Sequence, residues 1–205
     1  MKKKYNFIFL MMVLIFFSAW SFCRPSEKKH DHTTMEGANP SDMSLNFLES
    51  NWQTESGNFV KIKDLTSKKN QVLAMVYLNC KVVCPRIISD MKYIHEKLGS
   101  KAKNSTEYTL VTIDPDRDSL ATFAEFGKKY RLDLSRWHFL RGSKDDIREL
   151  AAVLGVKYMK LENEEFSHSN TITIINTSGE IVYQKKEVQN DMETTISVIE
   201  NMASD

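Results

Sequence analysis

Neither basic nor acidic residues are in large excess in the sequence. Its 28 Lys and Arg residues nearly balance its 27 Asp and Glu residues, which gives a net charge of +1. Three of the lysines lie at the N-terminus (Lys2, Lys3 and Lys4), and without them the balance is 25 basic against 27 acidic residues, or −2. A chain of that charge lacks the basic surface that binds phosphate backbones. We therefore exclude nucleic acid as a partner.

The sequence also lacks an apolar run of the ~20 residues that usually span a bilayer. The apolar run at residues 7–17 follows the basic N-terminus and is closed by the smaller residues of 18–23, which is typical of an export signal. We interpret residues 1–23 as a signal peptide or a lipoprotein leader, with an uncleaved anchor helix as the third alternative. Cleavage after Ser21 would release the protein, whereas acylation of Cys23 would tether it to the membrane, and we favour the tether. The expected location is the cell envelope, facing the periplasm.

Residues 24–43 are polar, lack periodicity and include two of the four prolines. This composition is typical of a flexible tether. The tether contains His30, His32 and Met35, whose imidazole and thioether groups both suit copper. An auxiliary metal-gathering arm is one hypothesis for these side chains, and we favour the simpler interpretation of a solvated linker. The remaining residues, 44–205, are predicted to form one domain.

Residues 44–205 alternate between predicted strands and helices. Apolar runs and alternation predict strands at Phe59–Ile62, Val72–Leu78, Tyr108–Ile113, Trp137–Leu140, Thr171–Asn176 and Ile181–Gln184. Helical spacing and capping residues predict helices at Ile87–Leu98, Asp118–Tyr130, Ser143–Leu154 and Asp191–Met202. This order predicts an α/β, thioredoxin-like fold, in which a central mixed sheet is flanked by helices and preceded by an N-terminal hairpin.

Cysteine is scarce, with three residues in the chain. If Cys23 is acylated, Cys80 and Cys84 remain, and an oxidising compartment permits a disulfide between them. Because so short a loop gains little from a cross-link, reactivity or metal binding is favoured over a structural role. The N-terminus of the following helix, together with Lys81, is expected to lower the pKa of these thiols. Two thiolates suit Cu(I), zinc or an iron–sulfur cluster. Two sulfurs are too few for a closed zinc or cluster site, so a third ligand is expected from elsewhere in the chain.

His168 is the histidine that the predicted fold places opposite the cysteine pair. It lies in a polar loop just before the strand Thr171–Asn176. In a thioredoxin-like fold that loop faces the strand-to-helix turn that carries the cysteines. We expect His95 to be a surface residue and His138 to be partly buried packing, so His168 is the candidate third ligand.

Three blocks of the sequence resemble the signature blocks of the Sco (SenC) family of copper chaperones. They are YLNCKVVCP at Tyr77–Pro85, TIDPDRD at Thr112–Asp118 and SHSNTITIIN at Ser167–Asn176. The resemblance implies a membrane-tethered, thioredoxin-like protein that binds one copper ion, Cu(I) and in some states Cu(II), through Cys80, Cys84 and His168. It also implies a role in assembling the copper centre of cytochrome c oxidase. The implied partner is the copper-bearing oxidase subunit or another copper chaperone.

The chain departs from the family pattern at three positions. The family often has an acidic residue where this chain has Ser167, and Pro and Asp where it has Lys81 and Val82. An acidic partner orients a ligating imidazole and raises its basicity. We therefore expect the departures to reduce affinity for Cu(II) more than affinity for Cu(I).

The TIDPDRD block has two interpretations. In the first, Asp118 caps the following helix and Arg117 pairs with a carboxylate. In the second, Asp114 shapes the copper loop or the partner surface, since functional loops of α/β proteins lie at this edge of the sheet.

Three other functions compete with copper binding. Thioredoxin-type reductases use a CxxC motif and a cis-proline, whereas this chain has a three-residue spacer and no proline after Pro115. A thiol–disulfide oxidoreductase dedicated to one partner, acting through Cys80 and Cys84, remains the alternative. Peroxiredoxins have Thr or Ser three residues before the reactive cysteine, where this chain has Lys81, so a peroxidase is disfavoured. A binding module with a structural disulfide is the third alternative.

Overall fold

The structure, a computed structural model, describes residues 44–81, 83–186 and 192–204. All of these residues belong to one compact unit. The predicted leader and tether lie outside the described residues, and with them Cys23, His30, His32 and Met35. Among the helices that are described, none has the length and apolar character needed to cross a membrane.

A seven-stranded mixed sheet forms the centre of the domain. Its strands are β1 (Trp52–Thr54), β2 (Phe59–Val60), β3 (Asn70–Val76), β4 (Thr106–Thr112), β5 (Trp137–Arg141), β8 (Ile172–Ile175) and β9 (Ile181–Lys185). Their order across the sheet is β2-β1-β5-β4-β3-β8-β9. The three central strands β5, β4 and β3 are parallel, and the flanking pairs are antiparallel. Every residue of β3 is buried, as expected for a strand covered on both faces.

Six α-helices accompany the sheet in the described part of the chain. They are α1 (Ile62–Thr66), α2 (Val83–Lys97), α3 (Ser100–Ser105), α4 (Leu120–Tyr130), α5 (Lys144–Val153) and α6 (Met192–Ser204). The buried face of α2 consists of Ile87, Ile88, Met91 and Ile94, at the spacing that the sequence predicts. The predicted α/β class, the central mixed sheet flanked by helices and the N-terminal hairpin β1–β2 are confirmed.

Serine side chains begin two of the helices. Ser119 accepts a hydrogen bond from the backbone N–H of Thr122, and Ser143 accepts one from that of Asp146, so each satisfies a donor that has no partner within the helix. The predicted capping of α4 by Asp118 is therefore wrong. Asp118 is buried and its carboxylate instead accepts a hydrogen bond from the backbone N–H of Leu78, 3.1 Å away.

The predicted strands and helices differ from the structure at one or both ends, by one to four residues, and some elements were not predicted. Ile62 begins α1 rather than ending a strand, and β3 ends at Val76, two residues before the predicted end. The polar helix α3 has no apolar periodicity and was not predicted. A second, two-stranded sheet was also missed: β6 (Tyr158–Lys160) pairs antiparallel with β7 (Phe166–His168).

Candidate metal centre

The two cysteines lie where β3 leads into α2. Cys80 lies in the short connection between the end of β3 and the start of α2, and Cys84 lies in the first turn of α2. The backbone N–H of Cys84 donates to Cys80 Sγ at 3.3 Å. First-turn amides have no partner within a helix, so this sulfur satisfies one of them. The side chains are 8% and 0% exposed respectively, which leaves Cys80 the more accessible sulfur.

His168 reaches the cysteines from the β6–β7 hairpin. It is the last residue of β7 and pairs in register with Tyr158 of β6. His168 Nδ1 lies 3.1 Å from the carbonyl oxygen of Ser169, a contact in which the nitrogen donates. That bond places the ring proton on Nδ1 and leaves the lone pair on Nε2. His168 Nε2 lies 3.6 Å from Cys84 Sγ, so the lone pair is directed towards the sulfur pair.

The three side chains that the sequence nominates as ligands converge. One ligand atom from each of Cys80, Cys84 and His168 lies within 4.8 Å of the other two. Both cysteines are thiols rather than partners in a disulfide, so the disulfide stays a prediction. Two thiol sulfurs and one imidazole nitrogen form a soft ligand set, which suits Cu(I) and zinc better than calcium or magnesium.

Burial raises the pKa of the Cys84 thiol, and the nearby Cys80 and Asp118 raise it further. The prediction that the helix N-terminus lowers this pKa is therefore wrong for Cys84. The side chain is completely buried, and desolvation of the thiolate outweighs the helix dipole. In the metal-free protein the neutral thiol is favoured, and a metal ion would have to displace its proton.

Tyr77 is a neighbour of the site that the sequence analysis missed. Its hydroxyl donates to Glu165 Oε2 at 2.8 Å, and its ring makes an edge contact with the His168 ring at a centroid distance of 5.7 Å. Burial, with hydrogen bonds to Glu165 and Cys80, raises the pKa of Tyr77. The sequence does contain a signal that could have indicated Tyr77: it is a hydroxyl-bearing residue near the end of the apolar run VLAMVYL, three residues before Cys80.

The acidic residues after β4 occupy two different environments. Asp114 is buried and pairs with Arg117, so the predicted Arg–carboxylate pair is confirmed. A role for Asp114 in shaping the loop of the cysteines or the partner surface stays a prediction. Asp118 is the acid that contacts the loop before Cys80, through the hydrogen bond that it accepts from Leu78, and burial raises its pKa.

The other two histidines of the domain lie away from the cluster. His138 is partly buried, as predicted, with Nε2 3.0 Å from Glu107 Oε2. His95 is not the surface residue that we expected: it is partly buried, and its Nδ1 lies 3.3 Å from the Tyr108 hydroxyl. Burial lowers the pKa of His95.

The fold and the site together define an α/β domain with two thiols and one imidazole close together at the junction of a strand and a helix, which is a candidate site for a soft metal ion. The family model SCO1/SenC matches residues 50–204 of the chain. The chain therefore belongs to the SCO1/SenC family, as the three sequence blocks predict.

Solved structures of this family share the fold. A SCO1/SenC family lipoprotein from Bacillus anthracis is 24% identical with a TM-score of 0.68, over 76% of this chain and 94% of that one. Arabidopsis thaliana ScoI with copper bound is 18% identical with a TM-score of 0.64, over 76% and 96%. BsSco, a Sco family member described with a disulfide switch, is 22% identical with a TM-score of 0.66, over 79% and 94%. The thioredoxin-like fold predicted from the sequence is confirmed.

A sequence relative is a candidate copper-binding protein of Stutzerimonas stutzeri, 22% identical over 114 residues. The match covers 54% of this chain and 54% of that relative. The chain thus spans about half the length of that protein.

Proposed function

We propose that this protein is a copper chaperone of the cell envelope. The observation that carries the proposal is the convergence of Cys80, Cys84 and His168, with ligand atoms within 4.8 Å of one another. Two sulfurs and one nitrogen provide a three-coordinate site for Cu(I), which accepts low coordination numbers and prefers thiolates. Copper is cargo here, held until a partner receives it.

We propose copper rather than zinc as the bound metal because copper is named for two relatives of this protein. Arabidopsis ScoI is solved with copper bound, and the Stutzerimonas relative is a candidate copper-binding protein. Cu(I) is the expected form because thiolates dominate the ligand set. Ser167, exposed on β7, stands where the family often has an acidic residue, so Cu(II) is expected to bind less tightly.

The cysteine pair also supports a redox function. Two thiols that form a disulfide lose two protons and give two electrons to an acceptor, for which a partner disulfide is the chemical class that fits. Only the reduced pair supplies two thiolates to a metal, so oxidation would release copper. BsSco, described with a disulfide switch, is a precedent within the family.

The proposed receiver is the copper-bearing subunit of cytochrome c oxidase or a second copper chaperone. BsSco is placed among cytochrome c oxidase assembly proteins, and the Bacillus anthracis relative is a lipoprotein. These relatives favour an exported protein anchored at the membrane, by lipid at Cys23 or by an uncleaved N-terminal helix.

A dedicated thiol–disulfide oxidoreductase is the second candidate. Cys80 Sγ accepts the Cys84 backbone N–H and is the more exposed of the two sulfurs, which suits an attacking thiolate. Its substrate would be the oxidised copper-receiving cysteines of an oxidase subunit.

One transfer experiment distinguishes the two functions. The reduced protein, loaded anaerobically with Cu(I), is mixed with the soluble copper-receiving domain of an oxidase subunit, supplied first as dithiol and then as disulfide. Movement of copper to the dithiol form supports the chaperone. Reduction of the disulfide form by metal-free protein, without copper transfer to the dithiol, supports the oxidoreductase instead.

A further inference from the structure

The ligand His168 lies on an element that is separate from the central sheet. Strands β6 and β7 form their own two-stranded sheet, whereas both cysteines follow β3. The distance between the imidazole and the sulfurs therefore depends on contacts that hold the hairpin against the rest of the domain. If the proposed copper function is correct, these contacts set the geometry of the metal site.

Arg117 makes several of these contacts from the loop after β4. Its Nη2 donates to the carbonyl oxygen of Glu164, in the turn of the hairpin, at 2.5 Å. Its guanidinium carbon lies 5.9 Å from the centre of the Phe166 ring, in a cation–π contact. Its Nε donates to Asp114 Oδ2. One side chain thus joins the loop after β4 to two residues of the hairpin.

The loop that carries Arg117 is itself held in place. Asp114 is buried, and its backbone N–H donates to Thr112 Oγ1 at 2.9 Å. The Asp114 carbonyl oxygen accepts the backbone N–H groups of Arg117 and Asp118 at 3.2 and 2.9 Å. The ion pair with Asp114 therefore orients the guanidinium from a fixed base at the end of β4.

We propose that Arg117 is a positioning residue for copper: by clamping Glu164 and Phe166, it fixes the hairpin at the distance that lets His168 complete the site. The role requires arginine. A planar guanidinium can donate from Nε to a carboxylate, donate from Nη2 to a carbonyl and cover an aromatic ring in one conformation, whereas an ammonium group is a single point charge. Arg117 thus gives the TIDPDRD block a function that acts at a distance from the metal.

The first test compares Arg117→Gln with Arg136→Gln in the full chain held in detergent. Arg136 is a matched control, since its guanidinium also donates to a backbone carbonyl, that of Lys103 at 2.6 Å, but does so before the start of β5, at the opposite end of the sheet from the cysteines. Arg117→Gln is expected to weaken Cu(I) affinity, measured against a competing chelator, by about 10-fold or more, as other losses of outer contacts do. Arg136→Gln is expected to leave affinity unchanged. Wild-type affinity in Arg117→Gln would overturn the proposal.

The second test asks whether Arg117 acts through His168. If it does, Arg117→Gln should weaken Cu(I) binding in the wild-type background and have no further effect in His168→Ala. The Cu(II) form supplies a spectroscopic readout, because nitrogen hyperfine coupling from the imidazole should decrease in Arg117→Gln. A general loss of stability would weaken binding equally in both backgrounds and leave the spectrum of bound copper unchanged, and that result would refute a positioning role.

The third test separates this proposal from the proposed function. Amide hydrogen exchange in the metal-free protein should be faster across Tyr158–His168 in Arg117→Gln than in wild type or Arg136→Gln. This readout requires no metal. If the wild type binds no copper, the proposed function is wrong, and hydrogen exchange still tests the contacts of Arg117 with Glu164 and Phe166. If exchange in Arg117→Gln is unchanged, the positioning role of Arg117 is wrong and the proposed function is unaffected.

Discussion

His168 Nε2 lies 3.6 Å from Cys84 Sγ, although 84 residues separate the two in the sequence. The sulfur is fixed by the first turn of α2, and the nitrogen by the end of the β6–β7 hairpin. Because the two elements belong to different parts of the fold, a metal ion bound between them would join them. If copper is the cargo, as proposed, its binding should therefore also stabilise the folded protein.

Removal of the imidazole should weaken copper binding and leave the fold intact. The His168→Ala variant loses the nitrogen ligand but keeps both sulfurs, so we expect bound copper with reduced affinity. His168 is partly exposed, so the thermal midpoint of the metal-free protein should change little. Chelator competition and a melting curve measure the two effects. Unchanged affinity would show that His168 is not a ligand.

Removal of the Tyr77 hydroxyl should loosen the hairpin. Tyr77→Phe keeps the ring contacts with Phe166 and His168 and loses the bond to Glu165. Hydrogen bonds to charged groups contribute about 1.5–3 kcal/mol, and we expect a loss near the lower end in urea unfolding. Tyr93→Phe, on the exposed side of α2, is the control and should cost nothing measurable. Equal stability of both variants would mean that the Tyr77 bond does not stabilise the fold.

Stability should depend on pH through His138. The Glu55 carboxylate is the main cause of its raised pKa, and Glu107 adds to it, while partial burial opposes both. A raised pKa means that the stabilisation is complete below the unfolded value of about 6.5 and is lost as pH rises through the folded value. The free energy of unfolding of wild type relative to His138→Gln should therefore be larger at pH 5.5 than at pH 8.5.

His95 provides a comparison of opposite sign. Burial lowers its pKa, so the unfolded chain binds the proton more readily and His95 costs stability as pH falls. The free energy of unfolding of wild type relative to His95→Gln should decrease from pH 8.5 to pH 5.5. The same sign for both histidines would contradict the assignment of their environments.

The ion pair between Lys185 and Asp90 joins β9 to α2. Lys185 Nζ lies 3.1 Å from Asp90 Oδ2, and the side chains are 7% and 18% exposed. Lys185→Met leaves a mostly buried carboxylate without its partner, which should cost about 3 kcal/mol in urea unfolding. The double variant Lys185→Met, Asp90→Leu should recover most of that loss. A double variant as unstable as the sum of both single changes would contradict this account.

Much of the fold follows from strong local patterns. The run VLAMVYL and the spacing of Ile87, Ile88, Met91 and Ile94 predict β3 and α2 because burial of one apolar face dominates each element. The candidate ligands could be predicted because few residue types bind soft metal ions. Cysteines are scarce in this chain, and the predicted strand order brings the loop before β8 opposite them.

The missed features depend on tertiary contacts. Strands β6 and β7 have three residues each and enclose a turn in which Glu164 takes a positive φ of 65°, so neither has a recognisable period. Helix α3 is polar and is stabilised by packing against α6. The raised pKa of Cys84 could not be read from its helical position, because complete burial outweighs the dipole.

Copper stoichiometry of the reduced protein tests the central claim most directly. Anaerobic titration with Cu(I) should load one copper per chain in the wild type and in Cys23→Ser, since the proposed function gives Cys23 to a lipid anchor and not to the metal. Cys84→Ser should bind no stoichiometric copper, because it removes a buried sulfur of the three-ligand site. Absence of copper in the wild type, or one copper per chain retained in Cys84→Ser, would contradict the assignment of this site as a copper centre.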